Sequence, residues 1–311
     1  MERNLIEIRP LTITEIITAA FRSLYRNPAA TLLISLNFSL ILGLISLFGY
    51  YLLPVNSELF NNLASLGETE ALESADLESL LPQVLPILTF FGVSTFFLYL
   101  FQGVVTGLLS PAVGFLVTGK KLTKNETWMR SKSKINKLFA LSLLIIIIEI
   151  TAFLTPLFIT ATISAIFPQA IGSLLVTLGL IVSLGMLIFV WTRYLLAPVI
   201  LILENTSIKF SLTRSSNLVK KNFARIFFGT IWASLVGQAL AFFASIPFSL
   251  ISQASQDSGE ITTFSVFTET IGSIFSYIFL LSFFASYLCL LYTDQRIRHE
   301  NLAENLKSAL G

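Results

Sequence analysis

One cysteine, one histidine and few charges mark this chain by what it cannot do. Cys289 is alone among 311 residues, which excludes an intramolecular disulfide and a cysteine-based metal site. His299 is the single histidine, so most zinc sites and most imidazole catalysis lack their groups. Charged residues make up 12% of the chain, about half the roughly 25% of a soluble domain. No catalytic residue, metal site or cofactor is expected. No cleaved leader is expected either, because the first apolar run starts only after Pro28 and no small-residue cleavage site follows it.

What the chain has is apolar sequence, 54% of it. Six runs are long enough to cross about 30 Å of hydrocarbon, which takes about 20 helical residues. They cover 29–53, 86–118, 138–166, 170–203, 226–251 and 265–293. The fold class expected is therefore all-α, a polytopic membrane protein with six transmembrane helices in one integral membrane domain, 1–311. Pro111 and Pro198 stand near the ends of the two longest runs and are the expected kink points.

The polar segments set the orientation. Residues 55–81 carry six carboxylates and no Lys or Arg, and 252–264 carry Asp257 and Glu260 without a base. Residues 119–137 carry seven bases against Glu126, and 204–225 are also basic. Basic residues stay on the cytoplasmic side, so both termini are expected in the cytoplasm, in a bacterial inner (plasma) membrane. Lys120, Lys121, Lys124, Lys220, Lys221 and Arg225 are the expected anchors to lipid headgroups at the interface. The partners expected are membrane lipids and a further membrane or soluble protein, and no nucleic acid.

Thr12 and Glu15 form a capping box ahead of Ile13, Ile16, Ile17, Ala20, Phe21 and Leu24 at helical spacing. The spacing predicts a short interfacial helix over 12–26, ended by Asn27-Pro28. Leu-Thr pairs recur at Leu122-Thr123 and Leu212-Thr213. These suggest three units, each an interfacial helix followed by a membrane hairpin. Leu59, Phe60, Leu63 and Leu66 predict a short outer helix in the acidic segment.

Other motifs are weaker. Gly114 to Lys121 resembles a phosphate-binding loop, but Lys121 stands where Ser or Thr must bind magnesium, and the segment follows an apolar helix rather than a strand. Two glycosylation triplets, at Asn125 and Asn205, fall on the side expected to be cytoplasmic. Gly103 and Gly107 form a small-xxx-small pair suited to close helix packing within the chain.

Inside the apolar runs stand Asn37, Gln102, Glu149, Arg193 and Gln238. A charge at the bilayer centre costs at least about 2.5 kcal/mol, which makes such residues candidates for function. Asn37, Glu149, Arg193 and Gln238 are the expected intramembrane polar cluster, with Glu149 and Arg193 facing each other between the third and fourth spans. The leading function is a non-catalytic scaffold or partner subunit. The alternative is a transporter or lipid-handling protein with its site at Glu149 and Arg193, and an intramembrane enzyme comes third.

Several segments together resemble a known family. They are Arg9-Pro10-Leu11-Thr12 with Ala20-Phe21-Arg22, Leu196-Ala197-Pro198 with Leu203-Glu204, Leu218-Val219-Lys220-Lys221-Asn222-Phe223, and Leu291-Tyr292-Thr293-Asp294-Gln295-Arg296-Ile297-Arg298. The chain resembles the glycerophosphoryl diester phosphodiesterase membrane-domain family of bacterial integral membrane proteins. The resemblance implies a membrane part. The family's phosphodiesterase chemistry belongs to an attached soluble barrel whose His and carboxylates bind a divalent metal. One histidine cannot supply that set, so the chemistry does not carry over.

Overall fold

The computed structural model describes residues 9–52, 77–255 and 262–300. Every regular element among them is helical. The order is α1 (Ile13–Arg26), α2 (Pro28–Leu52), α3 (Leu77–Val117), α4 (Lys124–Ser131), a 3-10 turn (Lys132–Lys134), α5 (Ile135–Ser164), α6 (Gln169–Tyr194), α7 (Ala197–Leu203), α8 (Ile208–Lys220), α9 (Phe223–Ala254) and α10 (Thr263–His299). Six segments are long and apolar enough to cross a membrane. The expected all-α, six-span architecture is the architecture found. The outer helix expected over 59–66 lies outside the described residues.

The first helix forms as its sequence dictates. The Thr12 hydroxyl accepts from the Glu15 amide at 3.2 Å, and the Thr12 amide donates to the Glu15 carboxylate at 2.7 Å. Arg9 donates to the same carboxylate at 2.6 Å. This bond above all, then those from Thr12, holds the Glu15 carboxyl at about 2, well below its ordinary value. α1 buries Ile16, Ala19, Ala20, Ser23 and Leu24. Asn27 ends it and donates to the Leu122 carbonyl at 2.9 Å, which ties α1 to the turn ahead of α4.

Thr123 and Glu126 build the same capping box on α4. The third Leu-Thr pair behaves differently. α8 is capped by Ser207, whose hydroxyl accepts from the Phe210 amide, so Leu212-Thr213 lies inside the helix rather than at its start. A Ser cap satisfies a free amide as well as Thr does, and spacing alone did not separate the two.

The two prolines expected to kink differ in outcome. α3 runs helically through Pro111, where Leu108, Leu109, Ala112 and Val113 are buried and hold the helix by packing. At Pro198 the helix breaks. α6 ends at Tyr194, the residue whose carbonyl a proline four positions on would strike. α7 restarts with Pro198 in its first turn.

The described residues pack as two compact units. The first comprises the described residues of Met1–Ser35, Tyr99–Leu240 and Phe279–Gly311. Its central post is the end of α10, where Phe283, Tyr287 and Leu288 to Tyr292 are buried against Ile16 and Ala20 of α1, Leu196 and Ile200 of α7, Leu218 of α8 and Ile226 of α9. α3 and α5 approach closely at the glycine pair. A Cβ on Gly103 would stand 2.3 Å from the Ser142 hydroxyl, and one on Gly107 would stand 2.3 Å from Leu138. Packing within the chain is therefore the use of this motif. Over most of its length the α5–α6 hairpin exposes large apolar side chains, among them Ile147, Leu154, Phe158, Leu174, Ile181 and Leu184.

The second unit is Leu36–Leu98 and Ala241–Ile278 in its described parts. Gly49 lies against the Phe90 ring, Gly43 against Ile274, and Phe248 stacks on Phe275 at 5.0 Å.

Candidate functional site

The charged groups of the first unit gather where α1, α8, α9 and the end of α10 meet. Two networks form there.

The first is centred on Asp294, which is 0% exposed. One carboxylate oxygen accepts from the Leu11 amide at 2.8 Å. The other accepts from Arg225 Nη1 at 2.8 Å and from Arg298 Nε at 2.9 Å. Both arginines then return to the same place, because Arg225 Nη2 and Arg298 Nη2 each donate to the Leu11 carbonyl at 2.6 Å. A buried carboxylate is tolerated when its lone pairs are filled and its charge is paired. Here two arginine forks and a backbone amide do both. Gln295 adds a bond to Asp294, and Asn222 bonds Gln295 and the His299 ring.

The second network is centred on Glu204, at the end of α7. The Tyr292 hydroxyl donates to its carboxylate at 2.7 Å, and Arg214 Nε donates to it at 3.3 Å. Arg214 also pairs with Glu300 at 2.5 Å, and Glu300 accepts from Arg296 at 3.0 Å. Arg296 closes the ring by donating to the Tyr292 hydroxyl at 3.1 Å. Burial works against the Arg214 cation, but the carboxylates of Glu204 and Glu300 outweigh it and hold its pKa above the ordinary value. Lys134 reaches the last carbonyls of α7, Leu201 and Ile202, at 3.4 and 3.5 Å.

The expected intramembrane cluster is not what the structure assembles. No ion pair or hydrogen bond joins Glu149 to Arg193 among the described residues. Arg193 Nε instead donates to the Ser216 hydroxyl at 2.5 Å, and the Ser215 hydroxyl donates to the Arg193 carbonyl at 2.9 Å. The reason is the break at Pro198. It ends α6 at Tyr194 and leaves α7 as a separate buried helix, so Arg193 stands at the end of α6, against α8. Glu149 is half-buried on α5, with Tyr99 of α3 within electrostatic reach. Gln238 is exposed on α9 and bonds to none of these groups. Asn37 is exposed on α2 and belongs to the second unit. Gln102 bonds the Thr106 hydroxyl one turn along α3, at 3.2 Å.

Five of the six expected anchors, Lys120, Lys121, Lys124, Lys220 and Lys221, are exposed. Arg225 is the correction, because its guanidinium is committed to Asp294 and Leu11. Asp294 follows directly on an apolar run in the sequence, yet it is completely buried. The i,i+4 spacing of Asp294 with Arg298, and of Arg296 with Glu300, is visible in the sequence. The partners that bury these pairs, Leu11, Arg225, Glu204 and Arg214, come from distant segments and leave no local signal.

Comparison with known protein families, with curated proteins and with solved structures finds no match.

Proposed function

We propose that this chain is a non-catalytic integral membrane component, a scaffold or partner subunit of a membrane complex. One observation carries the reading. Asp294, Glu204 and Glu300 are all engaged with arginines in bonds that hold helices together. Groups used in this way fix a shape, and they are not free to exchange protons with a substrate. Among the described residues no three His, Cys, Asp or Glu side chains gather as a metal-ligand set.

The resemblance to the phosphodiesterase membrane-domain family belongs to the same reading. Of the residues that carry it, Leu11, Glu204, Tyr292, Asp294, Arg296 and Arg298 take part in the two networks, alongside Arg214, Arg225 and Glu300 from outside those segments. The reading places the chain in a bacterial inner membrane with both termini cytoplasmic, among lipids and bound to another membrane or soluble protein. A transport or lipid-handling site built on Glu149 with Arg193 has less support, because Arg193 bonds Ser216.

The test is purification from native membranes in mild detergent after brief cross-linking. A second protein in stoichiometric yield is the expected result. A chain that purifies alone and hydrolyses glycerophosphodiesters with a divalent metal would overturn the reading.

A further inference from the structure

Arg193 uses one of its three guanidinium nitrogens within the chain. Nε donates to Ser216, and among the described residues Nη1 and Nη2 have no partner. The nearby carboxylates are already engaged, since Glu204 and Glu300 pair with Arg214 and Asp294 pairs with Arg225 and Arg298. A guanidinium fixed at Nε presents its two remaining nitrogens as a fork, the geometry that matches two oxygens of one phosphate.

α8, which carries Ser216, also carries a second cation. Lys220 lies four residues after Ser216 on α8, hence on the same side of that helix, and it is exposed without a hydrogen-bond partner among the described residues. Beside the cations is an apolar surface. The Arg193 guanidinium lies 5.5 Å from the Phe189 ring centre. Phe189 packs on Phe223 at 5.7 Å, and Phe223 stacks on Phe227 at 6.2 Å. Phe189 is exposed, as are Met186 and Ile188 just before it on α6. A fork for phosphate at the end of α6, with exposed Phe189, Ile188 and Met186 just before it and half-buried Phe223 and Phe227 beside it on α9, matches an anionic phospholipid with its phosphate at the fork and an acyl chain on this apolar surface. A soluble phosphate compound would leave the rings uncovered.

We infer that Arg193, Ser216 and Lys220 bind the headgroup phosphate of an anionic phospholipid, with its acyl chain on Phe189, Phe223 and Phe227. This goes beyond the scaffold reading and stands whether or not a protein partner exists.

The experiment uses the full chain in nanodiscs of phosphatidylcholine with a minor fraction of phosphatidylglycerol, and counts the lipids retained on release by native mass spectrometry. Retained phosphatidylglycerol is expected to exceed its share of the disc. Arg193→Gln and Lys220→Gln should each lower its affinity about fivefold, the effect of about one basic residue at an anionic surface. Lys220 is exposed, so its variant keeps the fold even where Arg193→Gln does not, and Lys132→Gln, at an exposed lysine outside the site and outside the expected anchors, serves as the control. Equal retention of phosphatidylglycerol by Lys220→Gln and the unaltered chain would overturn the site. Inorganic phosphate that displaces the retained lipid at millimolar concentration would overturn the assignment to a lipid.

Discussion

Asp294 binds the amide of Leu11 at 2.8 Å across 283 residues of chain, and the Leu11 carbonyl takes an arginine from each of two other positions. The start of α1 is thus fastened by its backbone, through a side chain at the other end of the sequence. Asp294→Asn would keep the shape and remove the charge that Arg225 and Arg298 share. Losing one partner of a buried ion pair costs about 3–5 kcal/mol. The expected outcome is a large fall in thermal stability, with faster tryptic cleavage at Arg22 and Arg26 as α1 comes away. Cleavage at the unaltered rate would show that α1 is held by its apolar face alone.

Much of the fold was legible in the sequence because a bilayer permits few solutions. Apolar length and the capping box at Thr12 name α1 and the six spans directly. The networks were not legible. Asp294 reads as the polar end of an apolar run, and only the approach of Leu11 and Arg225 turns it into a buried centre. Arg193 misled for a related reason. Its run stays apolar through Leu203, and the break at Pro198 that places it at the end of α6 changes geometry, not composition.

Glu15 makes the docking of α1 depend on pH at its first turn. Its carboxyl titrates at about 2 in the folded chain against an ordinary 4.5. A depressed value means stability that is present above pH 4.5 and lost as the pH falls toward 2. Amide exchange at Ile16 and Ile17 should therefore quicken over that window. Arg9→Gln, which removes the largest cause, should raise the lower end of the window and shrink the change, and Glu15→Gln should abolish the dependence. An unchanged profile in both variants would refute this assignment.

Orientation can be read by labelling. Cys289 is buried and can be replaced by Ser, with single cysteines then placed at Ser65 in the acidic segment and at Ser133 beside α4. Ser133 is exposed, whereas its neighbour Ser131 is buried and bonded to the Leu108 carbonyl, so Ser131 would give a false negative. An impermeant thiol reagent on intact cells should label position 65 and spare 133. Labelling at 133 would reverse the topology.

The last prediction concerns Glu149 and Arg193, the two charges that the sequence sets closest to the hydrocarbon. Arg193 bonds Ser216, so the two charges should behave independently. In lipid, the stability changes of Glu149→Gln and Arg193→Gln should add in the double variant to within about 0.3–0.5 kcal/mol, as they do for groups that share no partner. Arg193→Gln combined with Ser216→Ala should fall short of additivity, because either change alone already breaks their bond. Glu149→Gln by itself should leave the melting temperature unchanged or raise it. It replaces a carboxyl that has no donor among the described residues, in a setting where a charge costs at least about 2.5 kcal/mol. A fall of several degrees, with strong coupling to Arg193, would mean that the two groups meet in the membrane and would restore the intramembrane site.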